Sequence, residues 1–170
     1  LVAGGDSHTP MAGAFGTYAA GYGATDMAAI AATGRTWLQV PATIRIEWRG
    51  ALADGVTAKD MMLFLCRELG MDNAFRAVEF AGPTVEVLSM AERLVLTNMA
   101  AELGAETGVI APDAVTFAWL KAAGAPVEDE AAARAWASDA DADYEAVHRF
   151  DAGALRPMIA LPHSPANSVP

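Results

Sequence analysis

Apolar and polar residues alternate at several places after residue 41, and these stretches predict β-strands. The run from Ile44 to Arg49 is the clearest, because every second side chain is apolar and can face a core. Gly82-Pro83 and Pro112 provide stop signals after two of the strands. The predicted strands lie at 44–49, 76–81, 107–111, 144–150 and 156–161.

Helices are predicted between these strands, from capping residues and from apolar positions three or four apart. Two capping boxes begin the longest helices: Thr57 with Asp60, and Ser89 with Glu92. The predicted helices cover 58–69, 84–88, 90–103, 113–123 and part of 126–142. Because strands and helices alternate, the pattern predicts an α/β fold with helices on the faces of the sheet.

The first 40 residues have a different pattern, in which glycine and alanine dominate. The predicted elements are a strand at 1–4, a helix at 10–21, a helix at 27–33 and a strand at 36–40. Thr25-Asp26 and Gly34 are the start and stop signals of the second helix. The predicted organisation is a strand-helix-helix piece at 1–40, a second α/β lobe at 41–162 and a linker at 163–170.

Composition and charge narrow the class of protein. Eleven basic and 21 acidic residues give a net charge of −10, which argues against a nucleic-acid surface and against binding to anionic membranes. No apolar run approaches the roughly 20 residues of a membrane span. Cys66 is the only cysteine, so an internal disulfide is impossible and a cytoplasmic location is expected. We interpret Cys66 as a small core side chain.

The ends of the chain predict a fragment of a longer protein. The sequence begins at Leu1 inside a predicted strand, without methionine, and stops after a proline-rich tail. A charged segment and cleavage signal of the secretory kind are absent. The alternative is a mature protein processed at Leu1.

Asp6, Ser7 and His8 are the first candidate for chemistry. They follow Gly4-Gly5 at the carboxyl end of a predicted strand, where α/β sheets bind ligands, and the glycines permit a tight turn. A histidine beside a carboxylate suits proton transfer, and a serine at a helix N-terminus suits an anionic ligand. The alternative is that Asp6 and Ser7 only cap the helix while His8 packs.

Asn98 and Glu102 are the second candidate. They lie four residues apart in the helix predicted at 90–103, so both project from one face and could enter a cleft. The alternative is a solvated helix face with a hydrogen bond between the two side chains. His148 and His163 have no neighbours at metal-ligand spacing, and phosphate-loop, dinucleotide and Cys-x-x-Cys motifs are absent.

Several motifs together resemble the aconitase superfamily. They are Gly-Gly-Asp-Ser-His-Thr-Pro (4–10), Gly-Ala-Phe-Gly (13–16), Gly-Ala-Thr-Asp-Met-Ala (23–28), Val-Pro-Ala-Thr-Ile-Arg-Ile (40–46), Thr-Ala-Lys-Asp (57–60), Thr-Asn-Met-Ala-Ala-Glu-Leu-Gly-Ala (97–105) and Ala-Pro-Asp (111–113). Their spacing is more similar to the branch of 3-isopropylmalate dehydratase large subunits and homoaconitases than to mitochondrial-type aconitase. The resemblance resumes at Pro162-His163-Ser164-Pro165, after a loosely similar region.

The resemblance implies a fold, a reaction and roles for the candidate residues. The implied fold is a three-layer α/β/α sandwich of the aconitase iron–sulfur type, preceded by the end of another lobe. The implied reaction is the dehydration and rehydration of a hydroxy di- or tricarboxylate by a hydro-lyase with a [4Fe-4S] cluster. The resemblance implies catalytic roles for Asp6, His8 and Glu102 and substrate-binding roles for Ser7 and Asn98. A small swivelling subunit or domain is the implied partner.

Departures from the family pattern limit what these 170 residues are expected to do alone. The family's cluster cysteines are absent and Cys66 matches none of them, so we expect no metal site, no bound cluster and no activity in the isolated chain. A further Asp-His pair and the swivelling domain are also missing. Met11 stands where the family usually has a small polar residue or asparagine, which leaves the substrate open.

The resemblance therefore predicts the parent protein by class. A hydro-lyase of amino-acid biosynthesis similar to 3-isopropylmalate dehydratase is the first interpretation. Homoaconitase or another 2-hydroxy-acid hydratase is the alternative within that class. A non-catalytic regulatory or scaffold member of the superfamily is the alternative from a different class.

Overall fold

The computed structural model describes all 170 residues and contains eight strands and six α-helices. The strands are β1 (Val2–Gly4), β2 (Ala19–Gly21), β3 (Ala42–Arg49), β4 (Arg76–Ala81), β5 (Thr107–Val109), β6 (Ala146–Asp151), β7 (Ile159–Ala160) and β8 (Ser168–Val169). The α-helices are α1 (Ala24–Thr33), α2 (Ala58–Leu69), α3 (Pro83–Val87), α4 (Met90–Asn98), α5 (Ala114–Ala122) and α6 (Glu130–Arg134). Short 3-10 helices lie at Thr9–Phe15, Ala152–Ala154 and Pro165–Asn167.

The main sheet has four parallel strands in the order β5-β4-β3-β6. Parallel neighbours need long crossover connections, and helices lie in each of them: α2 between β3 and β4, and α3 and α4 between β4 and β5. The predicted α/β class is therefore confirmed. No helix of the structure combines the length and the apolar character needed to cross a membrane.

The core lies on one face of the main sheet. Ile44, Ile46 and Trp48 alternate along β3 and are buried there against α2 and α4. Burying an apolar side chain of this size stabilises a fold by about 2 kcal/mol. As predicted, Cys66 of α2 is a completely buried member of this core.

The opposite face of β3 is polar and is held by ion pairs. Arg45 donates hydrogen bonds to Glu47 and to Glu79 of the neighbouring strand. Arg149 on β6 donates to the other oxygen of Glu47, at 3.0 Å. These contacts join three adjacent strands on the side away from the apolar core.

The helix predicted at 10–21 is wrong in its second half. A 3-10 helix covers Thr9–Phe15 and ends at Gly16, whose φ of 77° is a left-handed conformation that breaks the helix. Ala19–Gly21 then forms β2, which pairs in parallel with β1 in a separate two-stranded sheet. The pairing partner lies 17 positions earlier in the chain, so local propensity does not reveal it.

Two other predicted elements differ from the structure. Residues 36–40 do not form a strand; they are exposed and pair with no other strand, which removes the burial that would favour one. The last predicted strand is reduced to β7, which pairs antiparallel with β8 instead of joining the main sheet. Ser168 of β8 is buried and donates to the carbonyl of Leu63 in α2, at 2.7 Å. The three-part division of the chain stays a prediction.

Candidate active site

A tight turn follows β1 and carries the Asp6-Ser7-His8 motif. The Asp6 carboxylate accepts a hydrogen bond from the backbone N–H of His8 at 2.7 Å, and the Asp6 carbonyl accepts two more from Thr9. This arrangement is an Asx-type turn, in which a short side chain replaces a backbone acceptor. A Cβ on Gly4 would lie 2.3 Å from the Thr9 hydroxyl, so the turn needs glycine there. Asp6 therefore fixes the backbone of the turn that carries His8.

His8 meets Glu102 across 94 positions of sequence. Its Nε2 lies 3.0 Å from Glu102 Oε1, and its Nδ1 lies 3.1 Å from the hydroxyl of Ser7. Asp6 Oδ1 is 3.7 Å from the same Nδ1. The structure thus brings together four of the five residues that the sequence identified as candidates.

The environment of His8 favours its protonated form. The hydrogen bond with Glu102 raises the pKa of His8 above its ordinary value, burial opposes that rise, and the charges of Glu102 and Asp6 add to it. The side chains are 40% and 31% exposed for His8 and Glu102, so the pair is open to a ligand. The second carboxylate oxygen of Glu102 is buried and has no hydrogen-bond partner. The pair can hold and move a proton near neutral pH.

The predicted pairing of Asn98 with Glu102 on one helix face is wrong. Helix α4 ends at Asn98, and residues 99–104 form turns, in which the N–H of Ala101 donates to the Asn98 carbonyl and Gly104 has a φ of 78°. The chain needs these turns because β5 begins three residues after Gly104. Glu102 bonds to His8, whereas the half-buried Asn98 has no side-chain hydrogen bond to either residue.

An open cleft of about 500 Å³ lies beside the turn. Asp6 and Ser7 line one side, and Tyr22 and Glu106 contribute further polar groups. Sequence reasoning missed Tyr22 and Glu106. Glu106 stands directly before β5 and next to the motif at 97–105, which is a signal that could have identified it. Tyr22 follows β2, which was predicted as part of a helix, so its position at the end of a strand could not be recognised from the sequence.

Comparison with known proteins gives the family. A model described as the aconitase family (aconitate hydratase) matches residues 1–170, the whole chain. This chain belongs to the aconitase family. The resemblance seen in the sequence is thereby confirmed, and the Asp6-Ser7-His8 turn and the Glu102 turn both lie within the matched region.

Curated aconitase-family relatives cover the chain completely but are much longer. The 3-isopropylmalate dehydratase large subunit of Halothermothrix orenii is 43% identical over 174 residues, which are 100% of this chain and 40% of that protein. The probable methanogen homoaconitase large subunit of Methanosarcina mazei is 45% identical over 172 residues, 100% of this chain and 42% of that protein. The chain thus spans about 40% of the length of the curated relatives it matches.

An iron–sulfur cofactor is implied by the aconitase family, but the residues of this chain do not fit the role of its ligands. Cys66 is the single cysteine, and burial together with the charge of Glu102 raises the pKa of its thiol to about 11. A cluster needs thiolates, which such a thiol does not provide near neutral pH. No three side chains among the His, Cys, Asp and Glu residues come together as a metal site.

Proposed function

We propose that this chain forms one wall of the active site of an aconitase-family hydro-lyase, which isomerises a hydroxy di- or tricarboxylate by dehydration and rehydration. The 3.0 Å hydrogen bond between His8 Nε2 and Glu102 Oε1 carries the proposal. It joins two segments far apart in sequence, both of which belong to motifs that resemble the superfamily. Dehydration of a hydroxy acid requires a donor that protonates the departing hydroxyl and a base that removes a proton from the neighbouring carbon. The His8–Glu102 pair is proposed as the donor, and the base is proposed to come from the partner.

In the proposed reaction His8 and Glu102 handle the proton that accompanies the departing hydroxyl. Glu102 orients the imidazole and favours its protonated form, so that the proton is held on His8, beside the Ser7 hydroxyl that lines the cleft. In the reverse direction the same pair takes the proton back from water. Asp6 contributes by fixing the turn through the backbone N–H of His8.

Substrate binding is proposed for Ser7 and Asn98. The Ser7 hydroxyl lies at the cleft, within 3.1 Å of His8 Nδ1, where it can donate to a substrate carboxylate when the substrate enters. Asn98 ends α4 half-buried and does not line this cleft, and its amide is proposed to bind the substrate. Lys and Arg side chains are absent from the lining of the cleft, so positive charge for the carboxylates has to come from outside these residues.

The cofactor, the partner and the location complete the proposal. The proposed cofactor of the whole enzyme is a [4Fe-4S] cluster, whose ligands this chain does not supply. The proposed partner is a small swivelling subunit or domain, because the similar proteins are named large subunits. A cytoplasmic enzyme without nucleic-acid or membrane partners is proposed from the net charge of −10 and the single cysteine.

The substrate is proposed to be 3-isopropylmalate, with homocitrate as the second candidate. The identities of 43% and 45% to relatives of the two names are too close to separate them. Both substrates are hydroxy acids that carry several carboxylates, so the same proton chemistry serves either one.

The test uses the full-length protein together with its small subunit. Hydration and dehydration of 3-isopropylmalate and homocitrate are measured for the wild type and for His8→Asn and Glu102→Gln. We expect turnover of one substrate and a loss in kcat of about 10²- to 10⁴-fold in each variant, the range for general acid–base residues. His163→Asn is the control, because His163 is exposed, has a φ of 84° that asparagine tolerates, and lies outside the site. A wild type inactive on every hydroxy acid, or fully active His8 and Glu102 variants, would overturn the proposal.

A further inference from the structure

Thr97 makes a hydrogen bond that leaves its own helix. Its side chain is completely buried, and Oγ1 lies 2.9 Å from the carbonyl oxygen of Met11. The carbonyls of Arg93 and Leu94 in the same helix are farther away, at 3.2 and 3.4 Å. A hydroxyl has one proton to donate, and a threonine inside a helix ordinarily gives it to the carbonyl four residues back. The shorter distance indicates that the Thr97 hydroxyl donates its proton to the carbonyl of Met11 instead.

Met11 connects this bond directly to His8. The backbone N–H of Met11 donates to the carbonyl of His8 at 3.0 Å and closes the first turn of the 3-10 helix. The N–H of Met11 is thus held by the carbonyl of His8, and the carbonyl of Met11 is held by the hydroxyl of Thr97. A change at the Thr97 hydroxyl is therefore transmitted to the backbone of His8 within a single turn.

On its other side Thr97 leads to Glu102. Thr97 is the next-to-last residue of α4, and its carbonyl accepts a hydrogen bond from the N–H of Ala100 at 3.3 Å in the turn that follows. Glu102 lies in the continuation of that turn and bonds to His8. One buried hydroxyl therefore joins the two segments that supply the two halves of the proton-handling pair.

We propose that Thr97 is a positioning residue that holds His8 and Glu102 at hydrogen-bonding distance from each other. The inference rests on the proposed function of that pair for its catalytic consequence, but the geometric coupling itself is independent of the reaction. Nothing in the family resemblance assigns a role to Thr97, since the candidate residues there are Asn98 and Glu102. The Thr97 hydroxyl makes hydrogen bonds only to backbone carbonyls, so it acts on the site through the position of the backbone.

A second anchor keeps the 3-10 helix attached when the Thr97 hydroxyl is removed. The backbone N–H of Ile110 donates to the carbonyl of Gly13 at 3.1 Å and fixes the far end of the helix beside β5. Loss of the Thr97 bond therefore frees the Met11 end, nearest His8, while the fold is retained. The expected result is a small displacement of His8 relative to Glu102.

Three variants of the full-length protein test the inference. Thr97→Val keeps the shape and removes the donor, and Thr97→Ser keeps the donor. Thr107→Val is the matched control, because Thr107 is also completely buried and its hydroxyl has no hydrogen-bond partner. The readouts are the His8 titration by NMR of histidine-labelled protein, with the signal assigned by its loss in His8→Asn, and the pH profiles of kcat and KM.

In Thr97→Val we expect the pKa of His8 to fall toward its ordinary 6.5. We also expect kcat to fall about tenfold while KM changes less than about twofold, since misplacement of a catalytic group acts on the transition state. Thr97→Ser and Thr107→Val should resemble the wild type in both readouts. If Thr97→Val does not fold, Thr97→Ala removes the same donor with less bulk and should give the same change in the titration.

The outcomes separate this inference from the proposed function. A Thr97→Val protein with a lower melting temperature but an unchanged His8 titration and pH profile would assign Thr97 a structural role only and overturn the inference. A shifted titration in Thr97→Val, together with full activity in His8→Asn, would support the positioning role and overturn the catalytic role of His8.

Discussion

The carbonyl oxygen of Gly108 fills the space that a side chain on Gly13 would need. A Cβ built on Gly13 lies 1.7 Å from that oxygen, which is far inside van der Waals contact. Because Gly13 has no side chain, the 3-10 helix that follows His8 can lie directly against β5. Since Glu102 lies in the turn that leads into β5, this contact also sets the distance between the two halves of the candidate site.

Gly13→Ala should be strongly destabilising. The atom that the new Cβ meets belongs to the backbone of β5 and cannot rotate away, so the 3-10 helix has to move off the strand. We expect a loss of about 3 kcal/mol in the free energy of unfolding, at the upper end of the usual cost of overpacking. Gly5→Ala is the control, because its nearest neighbour is the flexible side chain of Met27 at 3.8 Å. Urea unfolding measures both, and equal midpoints would contradict the close contact.

The elements that the sequence predicted well have local signals. Helix α2 has the predicted bounds of 58–69 because its capping box and its closing glycine lie at its own ends. Strand β4 also has its predicted bounds, 76–81. Strand β2 was missed because small residues have weak strand propensity and its stability comes from pairing with β1. The difference between the elements that were predicted and those that were missed comes from burial and from pairing with distant strands. Local sequence patterns do not contain either.

The candidate site was predictable only in part for the same reason. Spacing identified Asp6, Ser7 and His8 as one turn, and the structure agrees. The resemblance implied catalytic roles for His8 and Glu102, but their contact was not predicted, since no local rule links positions 94 residues apart. The helical spacing of Asn98 and Glu102 was misleading, because it assumed that α4 continues past Asn98.

Glu102→Gln should lower the pKa of His8. The glutamine keeps a hydrogen-bonding side chain but removes the negative charge that favours the imidazolium, so the pKa moves down toward 6.5. Asp6→Asn should have a smaller effect, because Asp6 Oδ1 is 3.7 Å from the ring and its side chain is 79% exposed. NMR titration of His8 measures both, and equal effects of the two variants would contradict the dominant role of Glu102.

The same pair predicts the direction of a pH effect on stability. A histidine with a raised pKa in the folded state adds stability that is fully present below its unfolded value of 6.5 and is lost as the pH rises through the folded value. The stability difference between the wild type and Glu102→Gln should therefore be larger at about pH 6 than at about pH 8. Urea unfolding at both pH values checks this, and a difference that grows with pH would contradict it.

Asp113→Asn should destabilise the fold by about 3–5 kcal/mol, because it leaves a buried guanidinium without its counter-ion. Arg93 is completely buried and donates to both oxygens of Asp113 at 2.7 Å. Its other hydrogen bonds go to uncharged acceptors, the carbonyls of Glu86 and Leu88 and the hydroxyl of Thr116. Glu145→Gln is the control, because the Arg76–Glu145 pair is exposed and its loss should barely move the unfolding midpoint. Similar midpoints for the two variants would show that burial does not distinguish these pairs.

The carboxylate of Asp60 should stabilise the fold in a pH-dependent way. It accepts hydrogen bonds from the N–H and hydroxyl of Thr57 at the start of α2, and from the N–H of Met158 at 2.6 Å, beside β7. Burial acts to raise the pKa of Asp60, but the bonds from Met158 and Thr57 outweigh it, so the pKa lies below its ordinary 3.8. The stability from a lowered pKa is present above the ordinary value and is lost as the pH falls through the folded one.

Asp60→Asn should therefore cost about 1–2 kcal/mol near neutral pH, the usual cost of losing a cap and a charged hydrogen bond. That cost should shrink as the pH is lowered toward about 3, because the wild-type carboxyl then becomes protonated as well. Urea unfolding of both proteins across this range is the measurement. Asp54→Asn, at an exposed position in the loop before α2, is the control and should show no such trend. A cost that stays constant with pH would mean that the shape of the Asp60 side chain, and not its charge, holds α2 to the chain before β7.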